Sequence, residues 1–265
     1  MKITVFTGNQ ARHIALLSAM ASIADEVYAV QECCTVFPGK VADFYRKSDI
    51  MQQYFSQVIA SENRIFGDIR FSPSNVRTLS IKSDDLNCIE KSVLAPALSS
   101  DIYVVFGASF IKGYLIDFLV ANRAVNIHMG VSPYYRGSSC NFWALFDGNP
   151  NLVGATIHLL SRGLDSGDML FHAFPKPQAC DPFLLGMKAV KSAIASLAKE
   201  IAAGTLFNHV PVTQNKMSEI RYTKNSDFTD EVARLYLSRK IDADKIGELF
   251  DSAPGRELIS PIYMD

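Results

Sequence analysis

Asn126 and His128 stand two residues apart in the stretch NIHMGVSPYYRGSSC, residues 126–140. On a strand, residues i and i+2 face the same side, so this amide and this imidazole project together from an otherwise apolar segment. The amide can donate hydrogen bonds; the imidazole can donate or accept and changes charge near neutral pH. Buried strands prefer Val, Ile and Phe, and a polar pair inside one needs a compensating reason. The loop Met129–Gly137 follows, stiffened by Pro133, walled by Tyr134 and Tyr135 and bounded by Gly130 and Gly137, with Arg136 available for an anion. Farther on, GLDSGD (163–168) holds Asp165 behind the apolar Leu164. A carboxylate beside an imidazole orients it, raises its pKa and takes up protons. Singly, each residue has a structural explanation: a turn-forming Asn, a packed His, an Asp capping a Gly-rich turn. Jointly they are much less expected by chance and point to acid–base chemistry.

The elements needed to position such a site are legible in the hydrophobic pattern. Lys2–Thr7, Val27–Val30, Val76–Ile81, Asp101–Phe106, Ala124–His128, Gly154–Leu160 and Met169–Phe174 read as strands. Ala11–Ala24, Lys40–Ser61 (with Phe44, Tyr54 and Phe55 as core aromatics), Leu86–Leu98, Lys112–Ala121, Ser139–Phe146 and Pro182–Ala203 read as helices, the last ending at Gly204. A β-α-β order implies parallel strands with right-handed crossovers. The expected fold is therefore α/β: a Rossmann-like, mostly parallel sheet with helices on both faces, plus a small C-terminal extension. The regular pattern stops near residue 205, giving an expected division into 1–205 and 206–265. Ligands of such sheets bind at the carboxyl ends of the strands. The first turn, TGNQARH, lacks G-x-G-x-x-G, so no dinucleotide is expected there. Its helix N-terminus, with Arg12 and His13 nearby, could meet a phosphate or simply face solvent.

Composition narrows the function classes. The chain has 265 residues, 48% hydrophobic and 20% charged, with a net charge of -1, so it can bury a large core and carries no overall basic field for nucleic acid or membrane. No stretch approaches the roughly 20 apolar residues that cross a bilayer, and MKITVFTG reads as a strand, not a signal peptide; the cytoplasm is the expected compartment. The five cysteines, with Cys33 and Cys34 adjacent and no C-x-x-C, read as reduced packing thiols and not as metal ligands or disulfides. Cys140 and the single Trp, Trp143, read as core.

The motifs N-I-H, S-P-Y-Y-R-G and G-A-T-I-H-L-L-S-R-G-L-D-S-G-D-M-L together resemble the folate-dependent formyltransferase family. The resemblance spans residues 1–205 and is strongest over 101–175. It implies catalytic roles for Asn126, His128 and Asp165; Asp168 falls on a variable position. It implies formyl transfer from 10-formyltetrahydrofolate as co-substrate to an amine, with no metal. The folate site it implies lies after the strand DIYVVF, at Phe106, Gly107, Ala108, Ser109, Phe110 and Ile111; a small Gly107 fits a close backbone approach. Two departures concern the acceptor side: Met129-Gly130 follows His128 where the family often has Pro-Ser or Ala-Ser, and SSCNFW (138–143) lacks the Ala-Pro of the transfer-RNA enzymes.

For the acceptor, the layout most resembles the nucleotide-sugar N-formyltransferases, which act on a sugar amine destined for surface polysaccharide. Residues 206–265 hold eight Lys plus Arg against ten Asp plus Glu. That balance does not favour a polyanion, and the transfer-RNA enzymes carry a larger C-terminal β-barrel. The deformylase usually has an additional N-terminal domain, whereas the first strand here begins at residue 2. The expected partner is a small-molecule amine, a nucleotide sugar first of all, with neither membrane nor nucleic acid, and a homodimer is an arrangement common among the sugar enzymes. The alternatives are a methionyl-tRNA or other small-amine formyltransferase, a formyltetrahydrofolate deformylase, and a non-catalytic folate-binding relative. Arg221-Tyr222-Thr223-Lys224 in the tail is placed either against the active site or against the core.

Overall fold

The computed structural model describes residues 1–33, 47–68 and 70–265. Its strands are β1 (Lys2–Gly8), β2 (Glu26–Cys33), β3 (Val76–Lys82), β4 (Ile102–Phe106), β5 (Val125–His128), β6 (Tyr135–Gly137), β7 (Ala155–Leu159), β8 (Met169–Pro175), β9 (Arg221–Thr223) and β10 (Ile262–Met264). Its α-helices are α1 (Ala11–Ala21), α2 (Asp49–Phe66), α3 (Lys91–Leu94), α4 (Gly113–Ala121), α5 (Cys140–Phe146), α6 (Pro182–Ala202), α7 (Asp230–Ser238) and α8 (Ala243–Ser252). Residues 40–46 of the helix expected over Lys40–Ser61, with Phe44 and Cys34, lie outside the described residues; among the described ones α2 begins only at Asp49, because Ser48 caps it by accepting from the N–H of Met51 (3.3 Å), and it runs on to Phe66.

Eight strands form one sheet in the order β10-β8-β7-β5-β4-β1-β2-β3. β7 runs antiparallel to both β5 and β8, and the other neighbours pair in parallel. The strands alternate as a two-faced sheet requires. Ile3 and Val5 of β1 face a core with Leu16 and Leu17 of α1 and Leu197 of α6. Phe6 of β1 and Val105 of β4 face the opposite core, with Leu115 and Leu119 of α4. A third cluster, around Tyr54, Phe142, Trp143 and Tyr236, joins α2, α5 and α7. The boundaries of the long helices follow local chemistry. Asp181 caps α6 by accepting from the backbone N–H of Phe183 (2.9 Å) and Leu184 (3.0 Å), and Pro182 occupies its first turn.

The single helix expected over Leu86–Leu98 is not there. A 3-10 turn at Leu86–Cys88 and the one-turn α3 replace it, with Ile89 and Glu90 extended between them. Asn87 is the physical reason. Its side chain donates to the carbonyl of Phe110 (2.9 Å) and accepts from the N–H of Lys112 (2.7 Å), so the segment is shaped to hold the turn after β4. Pro96, which cannot donate within a helix, stands just past α3.

Residues 206–265 close on this framework at several points. β9 pairs in parallel with β6, setting Tyr135 opposite Arg221. Arg221 grips Asp147 through Nε (2.9 Å) and a terminal nitrogen (2.6 Å), and its guanidinium lies 4.7 Å from the Trp143 ring. β10 extends the sheet beside β8. Thus Arg221-Tyr222-Thr223 packs against the loop that follows His128. Among the described residues no helix is long and apolar enough to cross a membrane.

His172, on β8 and fully buried, ties two of these parts together. It donates from Nε2 to the carbonyl of Ser132 (2.8 Å) and accepts at Nδ1 from the N–H of Ile259 (3.0 Å). Burial pushes its pKa down to about 4, against the opposing pull of the Ser132 carbonyl. A lowered folded pKa means that the unfolded chain binds the proton first. The contribution of His172 is therefore intact above pH 6.5 and is lost as pH falls toward 4, by about 3 kcal/mol in all. Denaturant unfolding measured from pH 7 to pH 4 should show this loss, and His172→Gln should flatten it; an unchanged slope in the variant would contradict the assignment.

Candidate active site

β5 ends at His128, at the carboxyl edge of the sheet. Asn126 and His128 point from that edge, and the loop between β7 and β8 brings Asp165 to them. Nδ1 of His128 lies 3.2 Å from Oδ2 of Asp165. Nδ2 of Asn126 donates to Oδ1 of the same carboxylate (3.1 Å) and contacts Nε2 of His158 (3.0 Å). His158 faces Asn126 directly across the antiparallel β5–β7 pair. Its Nδ1–H donates to the carbonyl of Leu159 (2.8 Å), which leaves Nε2 to accept from Asn126. On the far side of His128, Nε2 meets Sγ of Cys140 (3.5 Å) and the carbonyl of Tyr135 (3.4 Å), and Cys140 donates to the carbonyl of Gly137 (3.3 Å). Every one of these contacts suits an imidazolium with a proton on each nitrogen.

The electrostatics agree. Burial, the largest influence, opposes charge on His128, but Cys140 and the Asp165 carboxylate together hold its pKa well above the ordinary imidazole value. Burial also works against ionised Asp165; His128 prevails and holds its pKa well below the usual carboxylate range. The trio is thus a buried ion pair with an amide bridging to its acid.

The Asp165 loop is held in a demanding shape. Asp165 has φ +43°, a left-handed backbone that non-glycine residues seldom adopt. A Cβ on Gly167 would sit 1.7 Å from the carbonyl oxygen of Leu159, so only glycine lets the loop close onto β7. Gln214 clamps the loop by donating to the carbonyls of Asp165 (2.8 Å) and Gly167 (3.0 Å). The Asp168 carboxylate instead accepts from Thr213 (2.8 Å) and stays out of the cluster.

Two clefts meet at the trio. One, of about 80 Å³, is lined by Ala108, Ser109, Phe110 and Ile111 from the turn after β4 and by Asn126 and Asp165. Phe110 and Leu164 stand exposed at its edge (44% and 53%), apolar surface suited to a flat ligand. The carboxylate of buried Glu32 shapes the turn by accepting from the N–H of Ser109 (2.5 Å) and of Asp84 (2.9 Å). Phe106 and Gly107 lie behind this cleft: the Phe106 ring is 4.8 Å from that of His13, and a Cβ on Gly107 (φ +65°) would meet His13 at 2.5 Å. The close approach that Gly107 permits is therefore to His13. That ring is buried, accepts or donates at Thr7 (2.7 Å), and has its pKa pushed well down by burial. Arg12 pairs with Glu62 (2.9 Å) and Arg136 with Glu219 (3.0 Å), so neither is committed to a phosphate. The second cleft, of about 270 Å³, opens on the other side of the trio against His128, Met129 and Cys140. Among the described residues no cluster of His, Cys, Asp and Glu is disposed to hold a metal ion.

An open, mostly parallel α/β sheet with a polar cluster at the carboxyl end of a central strand defines a class of Rossmann-like ligand-binding proteins. Residues 80–177, which contain the whole trio, match the formyl transferase family. Similar proteins include the methionyl-tRNA formyltransferase of Finegoldia magna, 31% identical over 147 residues, 51% of this chain and 47% of that protein. That of Campylobacter curvus is 33% identical over 125 residues, 46% of this chain and 38% of that protein. The match thus spans less than half the length of these relatives. A sugar N-formyltransferase from a Shewanella species shares the fold with a TM-score of 0.52 and 17% identity, covering 89% of this chain and 87% of that one. The N-formyltransferase of Helicobacter canadensis, solved with folinic acid and dTDP-3-aminofucose, does so with a TM-score of 0.52 and 13% identity, covering 97% and 85%.

Sequence reasoning missed His158, Gln214 and the contact of Cys140 with His128. The signal for His158 was the one ionisable residue in GATIHLL, the motif already singled out; nothing local marks Gln214. Because Gly167 admits no side chain, Gly167→Ala should destabilise the protein by on the order of 2–4 kcal/mol. Thermal unfolding checks it, and a melting temperature within a degree of the parent's would show that the loop yields freely.

Proposed function

We propose that the protein transfers a formyl group from 10-formyltetrahydrofolate to a primary amine, most specifically the amino group of a nucleotide-linked amino sugar. The observation that carries this reading is the buried His128–Asp165 pair (3.2 Å) at the junction of two clefts, one suited to each reactant. The family match over residues 80–177 supports the reaction type, and the fold shared with sugar N-formyltransferases supports the acceptor class. In this proposal the folate occupies the cleft at Ala108–Ile111, with Phe106 and Gly107 backing it. Residues 1–205 form the catalytic unit and residues 206–265 extend it.

The chemistry follows from the charges. The amine attacks the formyl carbon, and negative charge gathers on the formyl oxygen. Protonated His128, and one N–H of Asn126 released from its 3.1 Å bond to Asp165, stabilise that charge as oxyanion donors do. Asp165 keeps His128 charged and receives, directly or through a water, the proton that the amine must lose. Cleavage of the bond to the folate nitrogen returns that proton to the leaving group, so neither a metal nor a covalent enzyme intermediate enters the balance.

The test is to mix the protein with 10-formyltetrahydrofolate and a panel of nucleotide-linked amino sugars and follow tetrahydrofolate and formylated product by mass spectrometry. His128→Asn should lower the rate on the order of 100-fold or more. Release of tetrahydrofolate without a formylated amine would sink the transferase reading in favour of a deformylase. The pH profile adds an independent check. The His128 pKa is raised, so the active imidazolium is complete at low pH and is lost as pH rises through that elevated value. The alkaline limb should therefore lie above pH 6.5 in the parent and move to lower pH in Asp165→Asn, which lacks the charge that raises it. A limb that does not move would separate His128 from the pH-sensitive step.

A further inference from the structure

The cleft of about 270 Å³ beside His128 has walls of a definite kind. Along α6, Phe183, Gly186, Met187 and Val190 recur at the three- and four-residue spacing that puts side chains on one helix face. Opposite them stand Val58 of α2 and Phe142 of α5, with Met129 next to His128 at the inner end. Among the described residues, no lysine or arginine lines this cleft. Burial raises the Tyr54 and Tyr236 phenols, which also border it, so both stay neutral at physiological pH.

Gly186 is the unusual member of the face. It lies in the interior of a 21-residue helix, where glycine weakens the helix relative to alanine. Its backbone does not need glycine: φ is not positive, and among the described residues a Cβ built there would meet nothing within 4 Å. Neither conformation nor crowding accounts for the missing side chain, and its effect is to leave room in the cleft.

We infer that this cleft receives an uncharged, apolar flank of the amine acceptor, such as a ring methyl group, and that Gly186 sets the depth available to it. This rests on the proposed formyl transfer for the identity of the occupant as an acceptor. The reacting amine sits at the inner end beside His128, the apolar flank lies along α6, and any charged part of the acceptor stays outside these walls. Gly186 is then a specificity-determining residue; it touches no reacting atom.

The experiment measures binding separately from turnover. The probes are dTDP-3-aminofucose, which carries a ring methyl, and the same compound with a hydroxymethyl in its place. Calorimetry without formyl donor gives Kd for each probe on the parent, Gly186→Ala and Gly186→Leu; mass spectrometry with donor gives turnover. Binding of 5-formyltetrahydrofolate and the melting temperature serve as controls, and both should be preserved, since either side chain favours the helix over glycine. The expected result is a preference for the methyl probe on the order of 10-fold in the parent. Gly186→Leu should weaken methyl-probe binding on the order of 10-fold or more, with Gly186→Ala intermediate. The same binding pattern with no turnover would keep the cleft assignment and overturn formyl transfer. Equal binding of the two probes, binding of neither, or unchanged binding in a folded Gly186→Leu would overturn the assignment itself.

Discussion

The buried pairing of His128 with Asp165 is the constraint around which the rest of the site is arranged. Two charges taken from water lose hydration that their mutual attraction repays only if the remaining lone pairs and protons are also met. Each is met here. The second oxygen of Asp165 accepts from Asn126, and the second nitrogen of His128 faces Cys140 and the Tyr135 carbonyl. The positive φ of Asp165 and the side-chain-free position at Gly167 are costs of delivering the carboxylate to that point, and Gln214 holds the delivered loop by its backbone.

This dependence explains why the C-terminal residues matter to a trio whose members all precede residue 170. Gln214 belongs to the tail, as does β9, which pairs with the Tyr135–Gly137 segment that borders the imidazole. Arg221 anchors β9 through Asp147, and the Tyr135 hydroxyl donates to the same carboxylate (3.1 Å). His172 then links the loop at Ser132 to the tail at Ile259. The tail works as a brace on the two loops whose relative placement fixes the ion pair.

Much of this was legible beforehand because it is local. Strand periodicity gives the sheet, the i, i+2 spacing gives Asn126 and His128 a common face, and a Gly-bounded acidic loop singles out Asp165. What escaped depends on contacts between distant segments. His158 is 32 residues from Asn126, and their contact comes from the antiparallel register of β5 and β7, which no local pattern specifies. Gln214 is 49 residues from the Asp165 carbonyl it binds. The sequence alone leaves the close approach at Gly107 to the folate because its actual neighbour, His13, comes from the first turn of α1, far back in the chain. The broken helix at 86–98 has the same origin: Asn87 serves a turn that sequence alone places elsewhere in the chain.

Asn126 carries the final constraint. Both hydrogens of its amide are donated, one to Asp165 and one to His158, so two acceptors must flank it. That requirement makes Oδ1 of Asp165 an acceptor and turns Nε2 of His158 toward the amide as an acceptor, while Oδ2 of Asp165 is left to face Nδ1 of His128. Two histidines whose rings lie 6.5 Å apart are thereby given different tasks by one amide. An aspartate at position 126 would set carboxylate against carboxylate and remove the donor; an alanine would leave His158 and Asp165 each one hydrogen bond short in a buried place. The side chain at 126 therefore holds the Asp165 carboxylate and the His158 ring in fixed relation, with the His128–Asp165 pair beside it between the two clefts.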